Sequence, residues 1–175
     1  MHFILTLMVI IAVWVKGDYK GWQKYHATML YYALGNLTYN FLCANYLLWK
    51  LDPDFMPNHS MTEMLYTFIV FPATILMFLR HYPNTFKKQV IHNLIWIGLY
   101  VGIEYIFLLT DRIYYQFGWT LWWSALLVAV MFPMFRLHYK RPLLTYILSL
   151  IITIILIYIF DVPVDIPIED RPVHD

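Results

Sequence analysis

The chain has little charge, little glycine and almost no cysteine. Of its 175 residues, 13% are charged, 61% are hydrophobic and 19% are aromatic. Soluble domains are about a quarter charged, so the composition is that of a chain embedded in a bilayer. A net charge of +1 gives no reason to expect nucleic-acid binding. Cys43 is the single cysteine, which excludes an internal disulfide and favours a small core residue over a reactive thiol.

A long polar segment is also lacking, so we expect one domain. A transmembrane helix needs about 20 apolar residues, with a range of about 17–25. Five apolar runs meet that length, and the first run is short. We predict an all-α bundle of six transmembrane helices; the alternative is five spans plus an interfacial N-terminal segment. Spans 1 to 6 cover about residues 2–15, 25–49, 61–79, 89–110, 118–135 and 143–160.

The basic residues predict the orientation of these spans. Cytoplasmic loops are enriched in Lys and Arg, and nine of the twelve fall in loops 1, 3 and 5. We therefore predict that loops 1, 3 and 5 are cytoplasmic and that both termini are external. The nine residues are Lys16, Lys20, Lys24, Arg80, Lys87, Lys88, Arg136, Lys140 and Arg141; the other three are Lys50, Arg112 and Arg171.

The C-terminal tail, residues 161–175, is acidic and rich in proline. Pro163, Pro167 and Pro172 prevent a helix and favour extended backbone. We expect a solvated tail. Because Val and Ile at 162, 164, 166 and 168 alternate with Asp, Pro and Glu, the alternatives are an added strand on a partner and a segment lying on the outer membrane face.

Span 2 carries three asparagines. At about 100° per residue, Asn36 and Asn40 share one helix face, whereas Asn45 lies on the opposite face near the outer end. Buried polar side chains in a bilayer find hydrogen-bond partners. We predict that Asn36 and Asn40 face span 4; the alternative is that they bond only to the backbone of their own helix.

The spans contain two acidic residues. Glu104 shares a face of span 4 with Asn93 and Tyr100, and an ionisable group at that depth is a functional candidate; the alternative is a protonated or hydrogen-bonded structural group. We expect it to be buried near those two residues. Glu63 follows Ser60 in "SMTE", a capping-box spacing, so we expect Ser60 and Glu63 to cap the start of span 3.

Small residues predict where helices pack closely. Gly98 and Gly102 form a GxxxG motif on a second face of span 4, and such spacing allows close helix approach. With a polar face and a packing face, span 4 is expected to be central. Thr145, Ser149 and Thr153 form a similar stripe on span 6.

Two prolines lie inside predicted spans. Pro72 and Pro133 each remove a backbone hydrogen bond, so we expect both helices to kink there. Paired broken helices also occur at transporter sites, but these two do not correspond in a three-plus-three division. The sequence has no catalytic, metal-binding or phosphate-loop motif, so no enzyme activity, metal or cofactor is predicted.

Five stretches together resemble a known family. They are "GDYKGWQKYHATMLYYALGNLTYNF", "PNHSMTE", "FIVFPATILMF", "GWTLWWSALLVAVMFPMFRLHYKRPLL" and "IFDVP", covering most of the chain from Gly17 to Pro163. They are similar to a family of small multi-pass integral membrane proteins of Gram-positive, largely spore-forming bacteria. The resemblance implies a bacterial plasma membrane, or a spore membrane derived from it. It assigns no activity to any residue.

Two classes of function follow. The first is a non-enzymatic structural or accessory subunit of a bacterial membrane assembly, with a link to sporulation. The second is a small ion or solute permeation protein that acts as a homo-oligomer, with Glu104, Asn36 and Asn40 lining the path. The expected partners are the lipid bilayer and either a second copy or another membrane protein.

Overall fold

The computed structural model describes residues 1–16 and 18–171, and it confirms the all-helical fold with six helices. Their bounds are α1 His2–Lys16, α2 His26–Leu42, α3 His59–Arg80, α4 Phe86–Leu109, α5 Leu121–Lys140 and α6 Pro142–Ile159. Four of these helices, α3 to α6, are long and apolar enough to cross a membrane. Helix α1 is apolar but has 15 residues, and α2 has 17.

The predicted end of span 2 was wrong. Helix α2 ends at Leu42, seven residues before the predicted boundary, and Asn45 adopts a positive φ of 60° in the following turn. The chain then forms a short strand, β1 Trp49–Leu51, which pairs antiparallel with β2 Ile113–Tyr115. Apolar composition alone does not distinguish helix from a buried aromatic turn and strand, which is why the run looked continuous.

Helix α3 contains one wide turn. Residues Tyr66–Val70 form π-helical hydrogen bonds, with the Phe71 amide donating to the Tyr66 carbonyl, immediately before Pro72. Because proline has no amide hydrogen, a wider turn re-pairs the backbone groups that Pro72 leaves free. Pro133 lies inside α5, which stays a continuous helix on both sides of it.

The central helix is α3, not α4 as predicted. Two thirds (67%) of the apolar window of α3 is buried, against 6% of that of α4. Helix α3 contacts α1, α2 and α5, and its Ile75 and Phe78 pack with Phe132 and Phe135 of α5 in the main core. A hydrophobic surface on α4 therefore faces outward, as expected for a helix in contact with lipid.

Loops 1, 3 and 5 meet at one end of the bundle, the basic end. Buried Asp18 of loop 1 pairs with Arg80 (3.1 Å), the last residue of α3, and with His81 (3.0 Å) of loop 3. Loop 5 is shorter than predicted, because Arg136 and Lys140 belong to α5 and only Arg141 separates α5 from α6. The guanidinium of Arg136, in the last turns of α5, lies 4.7 Å from the ring centroid of Tyr82. Asp18 is the only acidic residue among the nine basic residues of these loops.

The opposite end, the capped end, is covered by loops 2 and 4 and the tail. The two strands pair there, and Arg112 donates to Asp52 at 2.8 Å. Trp119 is buried beneath, against Trp49 and Phe160. The alternating direction of the helices thus places the two groups of loops at opposite ends of the molecule.

The tail is neither extended throughout nor solvated throughout. It forms a short 3-10 turn at Ile168–Asp170, and Arg171 is buried. The Arg171 guanidinium donates to the carbonyls of Leu42 (2.7 Å) and Ala44 (3.0 Å). It therefore satisfies carbonyls at the C-terminal end of α2, where a cation is also favoured by the helix dipole. The remaining tail residues, 172–175, lie outside the described residues.

Candidate functional site

Glu63 is the centre of a polar cluster between α2 and α3. The Asn36 amide donates to a Glu63 carboxyl oxygen at 2.8 Å and to the Thr67 hydroxyl oxygen at 2.9 Å. The Asn40 amide donates to the Asn36 carbonyl at 3.0 Å and lies 3.5 Å from the same carboxyl oxygen. Glu63 and Thr67 are buried. The wide turn of α3 contains Thr67, so the backbone irregularity is part of this cluster.

This cluster corrects the predicted helix cap. Helix α3 begins at His59, and the Asn58 side chain accepts a hydrogen bond from the Met61 amide at 2.9 Å. Asn58 is therefore the N-cap, whereas Ser60 is exposed and Glu63 points into the bundle. The capping-box spacing was misleading because the helix starts two residues earlier than predicted.

The predicted interhelical hydrogen bonding of Asn36 is confirmed, but the predicted partner helix was wrong. Asn36 does make interhelical hydrogen bonds, but they reach α3 rather than α4. Asn40 bonds mainly within its own helix, which was the alternative. Asn45, beyond the helix, donates to the Ile168 carbonyl of the tail at 2.9 Å. Helix α3 occupies the position predicted for span 4.

Glu104 forms a second cluster, near the C-terminal end of α4, at the capped end of the bundle. One carboxyl oxygen accepts from the Tyr115 hydroxyl and from the Ser124 hydroxyl, each at 2.6 Å. The Trp119 indole donates to the Ser124 hydroxyl oxygen at 2.8 Å. Burial and the hydrogen bond to Glu104 raise the pKa of Tyr115, so its hydroxyl keeps the proton it donates. Glu104 thus ties α4 to β2 and to α5.

The predicted neighbours of Glu104 lie elsewhere. Asn93 donates to the Gln89 carbonyl at 2.7 Å and to the Tyr82 hydroxyl at 3.2 Å, towards the basic end. The Tyr100 hydroxyl bonds to Thr74 of α3 at 2.6 Å. The three polar residues of span 4 share a face, but each of them meets a different element.

The two predicted packing stripes differ in outcome. On α6, Thr145 is buried and the Ser149 hydroxyl bonds to the Tyr31 hydroxyl of α2 at 2.7 Å, while Thr153 is half-buried. On α4, Gly98 and Gly102 are exposed, and a Cβ added at either would meet nothing within 4 Å in the described residues. The GxxxG face is therefore free of contacts from the described residues.

Sequence reasoning missed several residues of the site. His59, Thr67 and Thr74 share the polar stripe of α3 with Glu63, at steps of four, four and seven residues, and that spacing is visible in the sequence. No local pattern marks Tyr115 or Ser124, because they reach Glu104 only after loop 4 folds back over the bundle.

Both clusters supply hydrogen-bonded carboxyl groups between helices. They do not form a metal centre, since the described residues hold no group of three or more His, Cys, Asp or Glu side chains suited to a metal ion. Cys43 is buried and unpaired. What the arrangement can do chemically is join helices and bind or release protons.

No protein-family model, characterised protein or solved structure matches this chain. The resemblance to small membrane proteins of spore-forming bacteria therefore stays a prediction.

Proposed function

We propose that the chain is a six-span plasma-membrane protein with the basic end in the cytoplasm and both termini outside. Charge separation supports this orientation: the basic end carries nine basic residues and one acidic residue. The position of α1 supports a first span. Its His2 bonds to Tyr66 of α3 at 2.8 Å, while Asp18, just beyond α1, pairs with Arg80 at the end of α3. The two helices therefore run side by side in the same direction.

Cysteine labelling tests the orientation. In a Cys43→Ser background, an impermeant thiol reagent applied to intact cells should modify Phe55→Cys, at a highly exposed position of loop 2. It should not modify Thr85→Cys, at an exposed position of loop 3. Permeabilised cells, in which both variants should react, are the control. Labelling of loop 3 but not loop 2 in intact cells would reverse the orientation.

We further propose a non-enzymatic role as a structural or accessory subunit of a bacterial membrane assembly. One observation carries this proposal: both deep carboxyl groups accept hydrogen bonds from side chains of other elements in the same chain. Groups used in this way hold the helices in place, and they explain why a costly carboxyl group is kept in a bilayer. The link to sporulation rests only on the resemblance.

Reconstitution into liposomes tests this role. A structural subunit should give no ion or proton flux above that of empty vesicles, while Glu104→Gln and Glu63→Gln should fold and stay monodisperse in detergent. A flux that disappears in either variant without loss of folding would contradict the structural role.

A flux that depends on Glu63 or Glu104 would favour the second candidate function, a small permeation protein. The supporting observation is the group of titratable and amide side chains around Glu63, which lies between two helices near the capped end. The proposed path changes from the one expected earlier, because Asn36 and Asn40 face Glu63 and not Glu104. In this version the path runs through the α2–α3 contact of each copy in a homo-oligomer.

In either role we propose a helix partner, a second copy or another membrane protein, on the free face at Gly98 and Gly102. Small-xxx-small spacing suits close helix contact. Gly98→Leu should then lower the oligomer fraction seen by crosslinking in native membranes. Gly35→Leu, at another open glycine on α2, is the matched control. Equal crosslinking of both variants and the wild type would exclude this face.

A further inference from the structure

His59 joins the capped end to the Glu63 cluster. Its Nδ1 atom lies 3.0 Å from the Leu51 amide nitrogen of β1 and 3.3 Å from the Leu51 carbonyl oxygen. Its other ring nitrogen, Nε2, is buried without a hydrogen-bond partner in the described part of the chain. That nitrogen lies 4.0 Å from a carboxyl oxygen of Glu63, one helical turn away.

The position of the ring fits two protonation states. When Nδ1 accepts from the Leu51 amide, it must carry a lone pair, so the single ring proton is on Nε2. When a second proton is added, Nδ1 becomes a donor and can no longer accept from that amide. It can instead donate to the Leu51 carbonyl, while the charged Nε2–H group faces the carboxylate of Glu63.

Few other charged groups act on His59 and Glu63, so the charge of each depends mainly on the other. Lys50 of β1 is the basic residue with an electrostatic effect on His59. The titratable groups that act on or beside Glu63 are the phenols of Tyr32 and Tyr39 from α2 and of Tyr66 from α3. Phenols are neutral near pH 7. The remaining carboxyl oxygen of Glu63 is occupied by the Asn36 amide, so the pair has a defined geometry.

We propose that His59 and Glu63 form a proton-binding site that takes one proton from solution at the capped end. The bound proton moves the His59 hydrogen bond from the amide to the carbonyl of Leu51 and strengthens the attraction between His59 and Glu63. The ligand is a proton, and its binding changes the hydrogen bonding of the β1 backbone at Leu51. The inference rests on this geometry alone and not on the proposed structural or permeation role.

Hydrogen–deuterium exchange of the purified protein in detergent tests the site. After correction for the intrinsic pH dependence of exchange, the Trp49–Leu51 segment should lose protection on acidification from about pH 8 to about pH 4. This range includes the ordinary histidine pKa and the lower values that burial of an imidazole produces. His59→Gln keeps a hydrogen-bond acceptor and removes the titration, so its corrected protection should be independent of pH. His26→Gln, in which an exposed histidine at the basic end is replaced, should behave as the wild type.

Glu63→Gln provides a second arm if His59→Gln does not fold. It keeps an oxygen that can accept from Asn36 and removes the negative charge, so the midpoint of the transition should fall by about one pH unit. A wild-type profile that is flat, or one with the same midpoint in Glu63→Gln, would overturn the proposal. So would a pH-dependent profile retained in a folded His59→Gln variant.

Discussion

Glu63 and Glu104 are chemically identical and lie at similar depth, but their surroundings differ. Glu63 is four residues from the start of α3, and Glu104 is five residues from the end of α4, so each is about 6–8 Å inside its helix. Two hydroxyl groups from β2 and α5 converge on one oxygen of Glu104. Glu63 accepts amide hydrogen bonds from α2 and has a histidine 4.0 Å from its other oxygen. Glu104 therefore serves as a hydrogen-bond acceptor that holds three elements together, whereas Glu63 is part of an acid–base pair with His59.

The comparison predicts its largest effect at Glu104. Glu104→Leu leaves the hydroxyls of Tyr115 and Ser124 without their acceptor, so the free energy of unfolding should fall by about 2 kcal/mol. Glu104→Gln keeps a carbonyl acceptor and should lose less than half of that. SDS titration in mixed micelles measures both values. Equal losses for Leu and Gln would mean that the charge of Glu104, and not its acceptor geometry, stabilises the fold.

The sequence predicted most of the helices because their apolar runs are long and uninterrupted. Four of the six predicted spans correspond to helices whose ends lie within three residues of the prediction, and the helix of span 5 continues to Lys140, five residues beyond its predicted end. The prediction for span 2 was too long because "ANYLLWK" is apolar and aromatic, although it folds as a turn and a strand that pairs with residues 62 to 66 positions later. Apolar periodicity carries no information about that pairing.

The site was harder to predict than the fold. The polar faces of Asn36 and Glu104 were recognised, yet their partners depend on which helix lies in the centre of the bundle. The glycines and the polar face of span 4 favour that helix as the central one. The helix in the centre is α3, whose polar residues were explained locally as a cap. Because the sequence explains Glu63 locally as a helix cap, Glu63 is not among the predicted partners of Asn36, although it is the residue that Asn36 contacts.

The next largest effect is expected at Asn36. Asn36→Leu removes two interhelical hydrogen bonds and leaves Glu63 with one long amide contact, so unfolding should become easier by about 1–1.5 kcal/mol. The same SDS titration measures it. Thr38→Leu, at an exposed position on the same helix, is the control and should change little. If Asn36→Leu were neutral, the Glu63 cluster would not stabilise the fold.

A smaller effect is expected at Asn58, and it distinguishes the observed N-cap of α3 from the predicted cap at Ser60 and Glu63. Asn58→Ala should lower the free energy of unfolding by about 1 kcal/mol, because the side-chain bond to the Met61 amide is lost. Ser60→Ala should have no measurable effect. If Ser60→Ala were the more costly variant, the capping box would be restored as the correct description and the buried role of Glu63 would be in doubt.

The smallest effect is expected at Asn40, and it defines how far the Glu63 cluster extends. The Asn40 amide bonds to a carbonyl of its own helix at 3.0 Å, and its distance to Glu63 is 3.5 Å, at the limit for a hydrogen bond. Asn40→Leu should therefore cost less than about 0.5 kcal/mol, below the 0.6 kcal/mol that interhelical bonds in membranes average. A double-mutant cycle measures the difference directly. The coupling between Asn36→Leu and Glu63→Gln should exceed that between Asn40→Leu and Glu63→Gln, and the reverse order would place Asn40, not Asn36, at the contact between α2 and α3.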